Sequence, residues 1–117
     1  MEFTETLKNN HEFRRLYSKG KSAASKTLVV YARKNRKPGN GIGFTVSTKL
    51  GKAVTRNRVR RRLREIYRLS EPQLRKGYDI VIVARTRAVS ASYAELETGL
   101  KRCFSELGLL AEAEDRS

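Results

Sequence analysis

Three observations predict a mixed α+β fold, an α/β sandwich of one domain. The segment 54–69 carries Val59, Leu63, Ile66 and Tyr67 at i, i+4, i+7 and i+8, an apolar stripe roughly 100° wide such as a helix lying on a sheet requires. "YDIVIVAR", residues 78–85, is almost wholly apolar, as a strand buried on both faces must be. A chain of 117 residues is long enough for one proper core and too short for two. The predicted order is αβββαβα around a mixed sheet of about four strands.

Taken in order, the elements have these warrants. After "LKNN", Asn9 or Asn10 can cap a helix over 10–18 whose apolar residues Phe13, Leu16 and Tyr17 share a face, with Gly20 placed to end it. "KSAAS" reads as a short edge strand. "KTLVVYARK" and "IGFTVSTK" are rich in β-branched and aromatic residues and flank the turn-formers of "NRKPGNG", which predicts a hairpin of strands 26–34 and 41–48. Pro72 and Gly77 separate the helix of 54–69 from the strand of 78–85. Ser92 with Glu95 three residues on is a capping box, and Leu96, Leu100, Cys103, Phe104 and Leu107 follow at helical spacing until Gly108, giving a helix over 93–107. The chain is thus one domain, 1–117, with an ordered core over about 7–108 and an acidic tail, 109–117, expected to fray.

Composition narrows the function. The net charge of +14 calls for a polyanionic partner, yet 38% hydrophobic residues are too many for a disordered basic tail. Nucleic acid is preferred over a membrane surface, because no helix has a Trp- or Phe-rich inserting face. "MEFTETLKNN" has no apolar run and reads as neither signal peptide nor span. The single cysteine, Cys103, falls on an apolar helical face, so a cytoplasmic protein with Cys103 in its core is expected.

A self-sufficient catalyst is not expected. The chain has one histidine, His11, and its two aspartates, Asp79 and Asp115, open a strand and sit in the tail. Nuclease chemistry needs several carboxylates converging on metal ions, or a base beside a second acid/base group, and neither pattern is present. No catalytic residue and no metal site on the protein are therefore predicted.

The charge concentrates in "GKAVTRNRVRRRLRE", where six arginines fall within residues 56–64. With Val59 at the centre of the buried stripe, Arg58, Arg60, Arg61, Arg62, Arg64 and Arg68 all fall outside it. A solvated surface normally mixes signs, whereas the i, i+4 pairs here repel and cost stability unless phosphates are brought to them. Guanidinium groups suit that partner, since their planar fork holds a phosphate bidentately. The aromatics admit two readings. Phe13, Tyr17 and Tyr31 are either core or a platform on which single-stranded bases stack.

Arg56, Asn57 and Arg58, set in "GFTVSTKLGKAVTRNRVRRRLRE", together with "LKNNHEFRRLYSKGKS" and "YDIVIVAR", resemble the protein component of bacterial ribonuclease P over roughly residues 7–107. The resemblance implies an accessory subunit of a ribonucleoprotein endonuclease whose large RNA subunit is the catalyst and uses Mg²⁺ to cut the 5′ leader from precursor tRNA. It implies the RNA subunit and precursor tRNA as partners, with no membrane and no stable protein partner. Carried over by position, Arg56, Asn57, Arg58, Arg60, Arg61 and Arg64, with Lys49 and Lys52 close by, would contact the catalytic RNA. Phe13, Tyr17, Tyr31, Thr45 and Ser47 would line a cleft for the single-stranded leader. The family also implies a left-handed βαβ crossover, against the usual right-handed rule. One departure is plain: family members often begin with a basic arm, and "MEFTET" is acidic.

Overall fold

The computed structural model describes residues 1–111. Its elements are β1 (Thr4–Thr6), α1 (Asn10–Lys19), β2 (Lys21–Ala24), β3 (Leu28–Lys34), β4 (Asn40–Thr45), α2 (Ala53–Ser70), β5 (Tyr78–Ala84) and α3 (Tyr93–Glu106), with short 3-10 turns before and after α2 and before α3. The strands form one mixed sheet in the order β1-β4-β5-β3-β2.

That order corrects the hairpin expected of "NRKPGNG". β3 and β4 do not pair; β5 lies between them, antiparallel to β3 and parallel to β4. The reason lies in β5 itself, where Ile80, Val81 and Ile82 are all fully buried. Successive strand residues face opposite sides, so only an interior slot covers all three. β4 and β5 are thereby parallel neighbours joined through α2, a βαβ unit. "KSAAS" does form the edge strand β2, paired antiparallel with β3.

The sheet has five strands rather than about four, because the acidic "TET" adds β1 in parallel to β4. Side chains far along the sequence hold it there. The Thr4 and Tyr67 hydroxyls share a hydrogen bond of 2.9 Å, and the buried Glu71 carboxylate accepts the Glu2 N–H at 2.6 Å. Burial works against the Glu71 charge, yet hydrogen bonds from Thr4 and from the N–H groups of Glu2 and Phe3 outweigh it and hold the carboxyl below its ordinary 4.5. A depressed folded-state pKa contributes stability above the unfolded value that is lost as pH falls through the folded one. Glu71→Gln is expected to cost about 1 kcal/mol at neutral pH and to flatten the fall in stability on acidification, read by thermal melts across that range.

The two faces of the sheet are covered unequally. Leu28, Val30, Ile42, Ile80 and Ile82 pack against α2 and α3 in the main core, to which α2 contributes Val59, Leu63, Ile66 and Tyr67, the stripe read from its periodicity. α3 contributes Leu96, Leu100, Cys103 and Phe104 behind its Ser92–Glu95 capping box. On the other face Leu16 of α1 and Leu7, just before that helix, pack with Val81, beside Phe13, Tyr31 and Val83. The core also runs past its expected end: Leu109 is fully buried and Leu110 bridges to Leu74. Of the tail expected to fray, residues 112–117 lie outside the described residues.

Candidate nucleic-acid interface

β4 runs through a 3-10 turn (Thr48–Leu50) and Gly51 into α2. Gly51 has φ 132°, a conformation that side chains rarely adopt. Lys52 holds the N-cap position with no side-chain cap hydrogen bond, and the first turn of α2 has no acidic residue. The unpaired N–H groups and the positive end of the helix dipole are thus flanked by more positive charge, with Lys49 and Lys52 both exposed. A helix normally puts acids or cap oxygens at this end, and here the vacancy suits an incoming anion.

The guanidinium face of α2 divides in two. Along one flank Arg58 donates to the Val89 carbonyl and Arg62 to the Ala91 carbonyl, both at 3.3 Å, tying the helix to the segment before α3. Further along, Arg68 is paired with Glu65 at 2.6 Å, and that hydrogen bond holds the Glu65 carboxyl below its usual range. The other flank stays available. Arg56 donates to the Gly51 carbonyl at 3.1 Å, Arg60 reaches the Asn57 amide oxygen at 3.1 Å, and the Arg64 guanidinium stands 5.8 Å over the Phe44 ring. These contacts orient the cations without neutralising them. Among the described residues Arg61 has no hydrogen bond or ion pair, and it points to solvent with Asn57.

On the α1 face, Phe13, Tyr17, Tyr31 and Thr45 come together. The tyrosine rings meet edge to face, centroids 5.0 Å apart, and the Tyr17 and Thr45 hydroxyls share a hydrogen bond of 2.7 Å. Gly43 lets α1 sit close, since a Cβ there would lie 2.5 Å from the Phe13 ring. Tyr17 remains 42% exposed, so it rims the site rather than filling the core. Beside them on this face runs a row across three strands, Thr45 beside Val83 beside Val29, each half-buried. Ser47 lies past the end of β4, where its hydroxyl accepts the Lys49 N–H. Alternation along the strand places Val29 on the face of Tyr31, but sequence reasoning missed Val83 between Val29 and Thr45. The register was the needed signal, and the hairpin expectation concealed it.

The aromatic cluster and the start of α2 lie at the same end of the sheet, joined by the turn that follows Thr45. Residues 1–108 match the family model for Ribonuclease P. The chain belongs to the ribonuclease P protein family. It is 42% identical over 113 residues to the ribonuclease P protein component of Alkaliphilus oremlandii, covering 97% of this chain and 99% of that one. To the protein component of Clostridium acetobutylicum it is 45% identical over 106 residues, 89% of either chain. Two solved ribonuclease P proteins have the same fold: that of Staphylococcus aureus, with TM-score 0.83, 30% identity and coverage of 91% of this chain and 97% of that one, and that of Thermotoga maritima, with 0.76, 30%, 84% and 93%.

Membership makes the chain a component of ribonuclease P, a ribonucleoprotein nuclease of tRNA processing. Among the described residues of this ribonuclease P protein, no group of three or more His, Cys, Asp or Glu side chains is arranged to hold a metal ion, and no helix is long and apolar enough to cross a membrane. Asp79 accepts a hydrogen bond from the Asn35 amide at 3.0 Å, and His11 is exposed at the start of α1.

Proposed function

We propose that this protein is the accessory subunit of ribonuclease P, that it grips the catalytic RNA through the start and free flank of α2, and that it receives the 5′ leader of precursor tRNA in the cleft beneath α1. Arg56, Asn57, Arg58, Arg60, Arg61 and Arg64, with Lys49 and Lys52, present donors to the phosphates of the RNA subunit. Arg58 does so with one of its two terminal nitrogens, the other being engaged with Val89. Phe13, Tyr17, Tyr31 and Thr45 offer the leader rings for stacking and hydroxyls for hydrogen bonds, and Ser47 stands at the mouth. Cleavage itself belongs to the RNA subunit, which uses Mg²⁺ to remove the leader endonucleolytically.

The observation that carries this reading is the free flank of α2, where oriented guanidinium groups stand without carboxylate partners beside an uncapped helix start. A surface serving solubility alone would mix signs. The test is reconstitution. Purified protein added to its cognate RNA subunit is expected to restore precursor-tRNA cleavage at low Mg²⁺, while the protein alone leaves the substrate intact. No rescue at any ratio, or cleavage by the protein alone, would overturn the reading.

A further inference from the structure

A second basic surface lies at the opposite end of the sheet. β3 runs antiparallel to β5, so its last residues, Arg33 and Lys34, pair with Asp79 and Tyr78, where β5 begins. The aromatic cluster and the start of α2 lie where β5 ends. A seven-residue strand such as β3 spans about 20 Å. Arg14, Arg15 and Lys19 of α1 line a shallow depression with Arg33, and Arg36 and Lys37 of the following turn continue it. All six are exposed, and none makes an ion pair among the described residues.

Two carboxylates, Glu12 and Asp79, line the same depression and offset part of its charge, but neither pairs with any of the six cations. Glu12 accepts the Asn9 N–H at the start of α1, and Asp79 accepts from the Asn35 amide. Arg15 and Lys19 stand at i, i+4 and repel. Arg36 adds a backbone cost: its φ of 59° makes it the one non-glycine residue with positive φ among those described, in a turn that Asn or Gly would adopt more easily. An arginine held in a strained conformation among six exposed cations, with only two carboxylates in the same depression, is favoured by a polyanion bound there.

We propose that Arg14, Arg15, Lys19, Arg33, Arg36 and Lys37 form a second binding surface for the phosphodiester backbone of RNA, separate from α2 and from the cleft. The inference rests on the RNA-binding reading above and extends it: α2 packs on the opposite face of the sheet, so an RNA segment seated there leaves this surface free for another. Two sources share the required chemistry, the upstream continuation of the leader and a second segment of the catalytic RNA.

The experiment uses full-length protein with Arg15→Gln, Arg33→Gln and Lys37→Gln combined, and separately Arg36→Gly. Glycine relieves the strained φ, so Arg36→Gly is expected to melt no lower than the wild type while still losing RNA contact. Binding is measured over a series of salt concentrations, to the cognate RNA subunit alone and, in the assembled holoenzyme, to precursor tRNA with a short or a long leader. The log-log salt slope is expected to fall by about 2 for the triple variant and by about 0.7 to 0.9 for Arg36→Gly. A fall with the RNA subunit alone assigns the surface to catalytic RNA; a fall confined to the long leader assigns it to substrate. Unchanged slopes in both arms, while α2 variants do lose slope, would overturn this inference and leave the function intact. Wild-type protein that binds neither RNA would overturn both.

Discussion

Replacing Arg60, Arg61 and Arg64 together with alanine is expected to lower the salt slope of catalytic-RNA binding by about 2 to 3, one increment of roughly 0.7 to 0.9 for each phosphate contact removed. Affinity at moderate salt is expected to fall by about a hundredfold or more, since charge-assisted hydrogen bonds are the strong ones. The fold is expected to survive, because these side chains lie outside the buried stripe of Val59, Leu63, Ile66 and Tyr67, and the Arg64 guanidinium over the Phe44 ring of β4 is the one contact with another element that they give up. Arg62→Ala supplies the contrast. Its guanidinium holds the Ala91 carbonyl, so its loss is expected to lower the melting temperature and leave the slope nearly unchanged. Binding isotherms at several salt concentrations beside thermal melts separate the two. An unchanged slope in the triple variant would mean that the free flank faces solvent in the holoenzyme.

The second large effect is expected at Tyr17. Tyr17→Ala removes an exposed ring that meets Tyr31 edge to face, and it is expected to weaken binding of leader-bearing substrate by about 1 to 3 kcal/mol if a base stacks there. Affinity for mature tRNA, which lacks a leader, is expected to stay the same. Tyr17→Phe keeps the ring and loses only the hydrogen bond to Thr45, so it is expected to retain most of the leader affinity. A loss shared equally by leader-bearing and mature tRNA, or a drop in stability without loss of leader affinity, would return Tyr17 to a packing role.

How much of this was legible in the sequence depends on the distance over which each feature is determined. The stripe of α2 and the capping box of α3 are set by residues three to eight apart, and both stand as the spacing predicts. Strand pairing is not local. The turn-formers between β3 and β4 mark a reversal of the chain correctly, yet which strand fills the space beside each is decided by β5, more than thirty residues on. β1 was invisible for a related reason: "TET" has neither apolar alternation nor length, and its place depends on Tyr67 and Glu71. The arginines were legible as a one-sign face outside the buried stripe, but the anchoring of Arg58 and Arg62 was not, because the Val89 and Ala91 carbonyls come from another element. Of the aromatics, Phe13 packs against Gly43 while Tyr17 stays exposed, a difference in burial that their shared helix face did not foretell.

The insertion of β5 between β3 and β4 bears on how the protein is made. On a ribosome the chain emerges from its N-terminus, and β3 and β4 leave the tunnel well before β5, the strand that each must pair with. Until residues 78–84 emerge, β4 has only the short β1 beside it and β3 only the short β2, so the centre of the sheet is an open gap. α2 emerges in that interval with its apolar stripe lacking a completed sheet to cover it. Assembly is therefore gated by the arrival of one strand, and contacts between distant parts of the chain make such closure slow compared with local helix formation. A nascent chain arrested before residue 78 is expected to remain protease-sensitive throughout, and one extended past α3 to become resistant in a single step.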